Sequence, residues 1–280
     1  MKKIACLLLI GPFILTGCSK EVSPTEAEDI ANGIKEYNID PNSISELKVK
    51  YKESSHNNGT TNRELIDKKK DMTRIYELST RFNYIHTSYS YSNKDKVGNS
   101  SLSEERESWF YMKKKVLYKV VRFKTQGNER KTYSKVENYS KAIKEFSKLF
   151  DENMAKAYTN AEGKQFLDTD NFVNILGDDY VEGMYYLVKF YSSGAGNLKI
   201  AGAAKLDEQK ENNITRKGVG TLSAKWNHYI LKKAALAFTI KSTDGTSKND
   251  MKINVSYSES VSSLVIPSYP NLSNYAENPS

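Results

Sequence analysis

In the stretch SELKVKYKES, Leu47, Val49 and Tyr51 alternate with Lys48, Lys50 and Lys52. A period of two puts the apolar side chains on one face of an extended strand and the lysines on the other. That is the pattern of an antiparallel sheet with one buried and one solvated face. It recurs along the chain. Residues Thr73 to Tyr91 read as one long strand or two, Glu107 to Lys124 as two strands about a lysine-rich turn, and ERKTYSKVEN as one more. Later come VEGMYYLVKFYSS, GNLKIAGAAKLDE, GVGTLSAKWN, YILKKAALAFTIKS and MKINVSYSE. Turn residues separate some of these, as in Ser193 to Asn197 and in Asp244-Gly245. No strand–helix–strand alternation appears, which argues against a parallel sheet.

Three segments have helical spacing instead. Ser23 suits an N-cap, Pro24 the first helical position and Glu26 a capping box. Ala27, Ile30, Ala31, Ile34 and Tyr37 then share one face. Tyr139 to about Ala157 reads as a second helix, with Ala142, Ile143, Phe146, Leu149 and Phe150 as its apolar face. Thr169 to Leu176 reads as a short third, capped by Asp168 or Thr169 and closed by Gly177. The order is helix, four or five strands, two helices, four or five strands. It predicts an α+β fold: a strongly curved antiparallel sheet, or half-open barrel, with helices packed on its concave side. Residues 23–270 form a single domain in this reading, and 271–280 a disordered polar tail.

The chain begins Met1-Lys2-Lys3, and Ile4 to Leu15 is almost wholly apolar, shorter than the roughly 20 residues a spanning helix needs. Leu15-Thr16-Gly17-Cys18 follows and resembles the bacterial lipobox. The resemblance implies that residues 1–17 are a lipoprotein signal peptide and that the Cys18 thiol carries diacylglycerol. Residues 18–22 would then be the acylated (palmitate-bearing) anchor and a short tether. Two acyl chains hold a protein stably, here at the extracytoplasmic face of the cell membrane. Loss of Lys2 and Lys3 turns the formal charge of +8 into +6. Loss of Cys6 leaves Cys18 as the one cysteine, so the expected mature chain has no disulfide and no cysteine metal site.

The order of elements is similar to the LolA/LppX-type lipoprotein-localisation fold. The likeness rests on the helix Pro24 to Tyr37 before the first strand, the helix pair between Tyr139 and Leu176, and the exit from Ile253–Tyr257 into Val265-Ile266-Pro267. It implies lipid handling, with acyl chains held between sheet and helices. The inward positions would be Met184, Tyr186, Val188 and Phe190, then Leu222 and Trp226, then Leu236, Phe238 and Ile240. The same residues fit a filled core equally well, because any covered antiparallel sheet buries such a face.

Catalytic and metal chemistry find no support. His56, His86 and His228 stand far apart with no ligand spacing. Ser45-Glu46-Leu47-Lys48 matches S-x-x-K, but its companion motifs are missing and it opens a strand. Gly194-Ala195-Gly196 lacks the third glycine of a dinucleotide loop, since position 199 is lysine. Asp168-Thr169-Asp170 falls short of a calcium loop. The 19 tyrosines suit strands, although YIHTSYSYS also fits an aromatic binding strip. Lysines far outnumber arginines and are spread along the chain, which disfavours nucleic acid and suits an anionic membrane surface. The expectation is a non-enzymatic lipoprotein without cofactor. It binds a lipid or other hydrophobic ligand beneath the sheet, or alternatively serves as an envelope module that meets a protein partner and has a filled core.

Overall fold

The computed structural model describes residues 19–37, 44–61, 64–157, 185–211, 214–244, 247–260 and 265–278; Thr61, Glu64, Tyr185, Tyr186, Glu211, Asp244 and 247–260 are described by backbone alone. The elements are β1 (Lys20–Val22), α1 (Pro24–Glu36), β2 (Glu46–Thr61), β3 (Glu64–Ser79), β4 (Tyr84–Asp95), β5 (Ser100–Lys113), β6 (Val116–Thr125) and β7 (Asn128–Val136). Then follow α2 (Tyr139–Ala157), β8 (Tyr185–Ser192), β9 (Leu198–Glu211), β10 (Ile214–Asn227), β11 (Ile230–Asp244), β12 (Ser247–Ser260), a 3₁₀ turn (Leu272–Asn274) and β13 (Ala276–Glu277). All thirteen strands form one sheet in the order β1-β8-β9-β10-β11-β12-β2-β3-β4-β5-β6-β7-β13.

Two runs of hairpins, β2 to β7 and β8 to β12, join where β12 pairs antiparallel with β2, with Tyr257 opposite Tyr51. β1 adds antiparallel to β8, and β13 adds parallel to β7. The register explains the core. Leu222 faces Leu236 on one side and Gly202 on the other, and Ile253 faces Phe238. One sheet face therefore gathers Leu47, Leu78, Ile85, Leu117, Leu222 and Leu236 into a single cluster, together with Ala27, Ala31 and Ile34 of α1 and Phe146, Phe150 and Met154 of α2. Ser23 Oγ accepts the Glu26 N–H at 3.2 Å and so caps α1.

The expected α+β class, a half-open barrel with helices packed along a concave side, is corrected. The protein is mostly β, and its sheet is open, with β1 and β13 at its two edges. Only two α-helices occur among the described residues; α1 meets β8 and β9, while α2 meets β3, β5, β6 and β7. The reason is length. A 16-residue strand such as β2 reaches roughly 50 Å, whereas the 19 residues of α2 reach about 28 Å. No helix of that size covers such a sheet. The stretch between Ser54 and Lys70, polar and turn-rich in sequence, extends β2 and β3 well beyond the core. The third helix expected at Thr169 to Leu176 lies outside the described residues.

A second cluster lies on the opposite face. Tyr84, Trp109, Tyr111 and Val120 meet Val265, and Leu272 and Tyr275 pack against them. The segment 265–278 is thus a strap across β4 to β7. Tyr84 donates to the Ser268 carbonyl at 3.1 Å and accepts from the Ser268 N–H at 3.3 Å. Burial pushes the Tyr84 and Tyr111 hydroxyls up to about 12. Glu277 accepts from the Tyr133 hydroxyl at 2.7 Å and pairs with Lys135 at 2.8 Å. Residues 271–278, expected to be a loose tail, thus carry the 3₁₀ turn and β13.

Candidate functional site

Three pieces of chain converge at one end of the sheet: Ser19 before β1, the β8–β9 turn and the β10–β11 turn. Ser192 is buried, and its hydroxyl lies 2.9 Å from the Asn197 carbonyl while accepting the Gly194 N–H at 3.1 Å. Gly194 and Gly196 adopt φ of +123° and +69°, which side chains rarely do. His228 and Tyr229 also have positive φ, 49° and 64°, without being glycine. The primed turn suits the twist of the flanking strands, and contacts from outside hold it. Tyr229 N–H donates to the Gly196 carbonyl at 2.8 Å, and His228 N–H to Asn197 Oδ1 at 3.1 Å. The Tyr229 ring stacks on Tyr37, just past α1, with centroids 4.3 Å apart. A Cβ on Gly196 would stand 2.6 Å from the Tyr229 ring. Gly196→Ala is therefore expected to destabilise the protein by about 1–3 kcal/mol in chemical denaturation, through left-handed strain and a clash.

Beside these turns opens a cleft of about 700 Å³, lined by Ser19, Tyr191, Ser193, Asn197, Leu198, Lys199, Lys225, Trp226, Asn227 and His228. Trp226 is 1% exposed, and its indole Nε1 has no hydrogen-bond partner among the described residues. Such an orphan donor carries a desolvation cost.

Cys18 and Met184 lie outside the described residues, as does the side chain of Tyr186. Val188 and Phe190 are half-buried against the main core. Leu222, Trp226, Leu236, Phe238 and Ile240 are each exposed by 5% or less. The register brings these five onto one face of β10 and β11, where neighbours fill the space around them. The Phe238 ring lies over two glycines: a Cβ on Gly218 would come within 2.5 Å of it, and one on Gly220 within 2.7 Å.

A polar network crosses the opposite half of the sheet, on the face that carries the second cluster. His86 and Lys48 flank Glu77 at 3.0 and 2.6 Å, and His86 stacks on Trp109. Arg122 reaches Glu129 at 2.7 Å, Glu107 at 2.9 Å and Glu105 at 3.4 Å. The hydrogen bond from His86 and the ammonium of Lys48 hold the Glu77 carboxyl down at about 2, against the pull of burial. A carboxylate so depressed is a weak general base, which fits a structural role better than a catalytic one. Its stabilisation is present above the unfolded value near 4.5 and is lost as pH falls towards about 2. Wild type minus Glu77→Gln, followed by denaturant titration across that window, is expected to show a loss of about 2–3 kcal/mol. No group of three metal-ligating side chains occurs among the described residues.

Neither this network nor a row of lysines beside the cleft is marked by any local pattern in the sequence. Lys199, Lys225 and Lys233 lie directly opposite one another on β9, β10 and β11. Strand pairing creates that row, and the period-two signal does not contain it.

No family model matches the chain, and no curated protein matches it. Among solved structures, the translocator domain of the autotransporter NalP from Neisseria meningitidis is similar at 8% identity and a TM-score of 0.15, over 84% of this chain and 93% of that one. The transport unit of the autotransporter AIDA-I from Escherichia coli is similar at 6% identity and a TM-score of 0.14, over 84% and 97%. Likenesses at these TM-scores carry no weight for fold or function.

Proposed function

We propose that this chain is a lipid-anchored extracytoplasmic protein that acts as a non-enzymatic interaction module, its apolar face filled by its own side chains. The observation that carries this reading is the packing at Leu222, Trp226, Leu236, Phe238 and Ile240, where lipid carriage would need open space. Anchoring rests on Leu15-Thr16-Gly17-Cys18 behind a charged and then apolar leader. Ser19, directly before β1, stands at one end of the sheet beside the cleft, which suits a tether emerging there. Two acyl chains on Cys18 supply stable membrane attachment. The test is fractionation of cells expressing the full chain: wild type is expected in the membrane pellet, and Cys18→Ala is expected to lose the acylated form. A wild-type chain with no acyl group on Cys18 would defeat the reading.

A further inference from the structure

The geometry points to the cleft-bearing end of the sheet as a docking face for anionic phospholipid headgroups, an inference that rests on the anchored reading above. Lys199, Lys225 and Lys233 stand opposite one another on three adjacent strands, all exposed. Lys50 continues the row across β12, since Ser258 is the register partner of both Lys233 and Lys50. Like charges directly opposite on a sheet face are destabilising. None of Lys199, Lys225 and Lys233 has an ion-pair partner among the described residues, and the Lys199 ammonium lies over the Tyr191 ring at 5.3 Å. At the far end of the sheet Lys68 pairs with Asp95, Lys96 with Asp67 and Lys210 with Glu208, and opposed lysines recur there as pairs, Lys69 with Lys94 and Lys217 with Lys241. The row beside the cleft is the longer one, and a partner rich in negative charge relieves it.

Ser19 fixes which partner. It lines the same cleft as Lys199 and Lys225, so the residue next to the expected acylated Cys18 sits against the cationic row. A chain tethered there holds that row within reach of the bilayer. Each cation at an anionic surface adds about fivefold to the partition constant.

The test uses the full chain, purified from membranes in detergent and reconstituted into vesicles of phosphatidylcholine alone or with phosphatidylglycerol. Amine acylation at each lysine is followed by peptide mass spectrometry. Lys199, Lys225 and Lys233 are expected to react about fivefold or more slowly on the anionic vesicles, with the difference lost at high salt, while Lys68 and Lys210 change less than twofold. Equal rates on both vesicles would overturn the docking face. Equal protection by inorganic phosphate over neutral vesicles would overturn the bilayer as its occupant. Flotation with neutral vesicles reads the anchor separately: failure there, with protection on anionic vesicles intact, removes the anchor and leaves the docking face standing. The variant K199Q/K225Q/K233Q is expected to lose the anionic-lipid effect at Lys50 while its thermal transition holds or rises, because opposed like charges have been removed.

Discussion

Phe238→Ala is expected to lower stability by about 3–5 kcal/mol. Phe238 is 1% exposed and sits mid-strand on β11, opposite Gly220 on β10 and Ile253 on β12. Its ring fills the space that Gly218 and Gly220 leave by having no side chain. Removing the ring opens a hole bounded by backbone and by Leu206, which lies near Gly218, and a sheet backbone cannot collapse to fill it. The converse substitution, Gly218→Val, is expected to destabilise by about 1–3 kcal/mol or more, since its side chain meets the same ring. The double change F238A/G218V tests the pairing: the two costs should fall short of their sum, because each change partly relieves the other. Denaturant midpoints at constant m-value read all three. Additive losses would show that ring and glycine do not share the space.

Deleting residues 265–280 is expected to cost about 3–5 kcal/mol and to make the protein prone to self-association. The strap buries Val265 at 3% exposure and packs Leu272 and Tyr275 over Tyr84, Trp109, Tyr111 and Val120. Two to three apolar side chains leaving such contact lose about 1.5–3 kcal/mol each when full burial is lost, less for partial burial. The Ser268 and Glu277 hydrogen bonds are lost as well. An aromatic patch on a sheet face, uncovered beside the newly bared edge of β7, is a site for association. Sedimentation and denaturant titration of the truncated chain check both parts. A truncated chain that stays monomeric and equally stable would show that the strap is ornamental to the fold.

The strands were legible where alternation is strict. Leu47, Val49 and Tyr51 take the inward side as their spacing requires, and Ser23 caps the helix that Pro24 begins. What escaped the sequence was extent and partner. Arg81-Phe82-Asn83 carries no glycine or proline, yet it turns β3 into β4 with Asn83 at φ 46°. The His228-Tyr229 turn is equally unmarked, because its strain is relieved by Gly196 and Asn197 from another hairpin. Helical periodicity located α1 and α2 but was silent on how little of a thirteen-strand sheet two helices cover. The strap was read as an exit and a tail, since Pro267 and Pro270 break periodic patterns and nothing local marks Tyr84 as the anchor of Ser268. The lysine row is a property of register among β9, β10 and β11, invisible one strand at a time.

Two things stand together at the centre: an acylated Cys18, and a core whose described residues Leu222, Trp226, Leu236, Phe238 and Ile240 are filled by their own neighbours. The most direct measurement is the native mass spectrum of the full chain, purified from membranes and then exposed to membrane lipid extract. The expected spectrum shows a covalent diacylglyceryl mass on a chain beginning at Cys18, with no further lipid surviving removal of detergent under high salt. A discrete additional phospholipid or glycolipid, retained at one per chain, would contradict the filled core and restore carriage as the function.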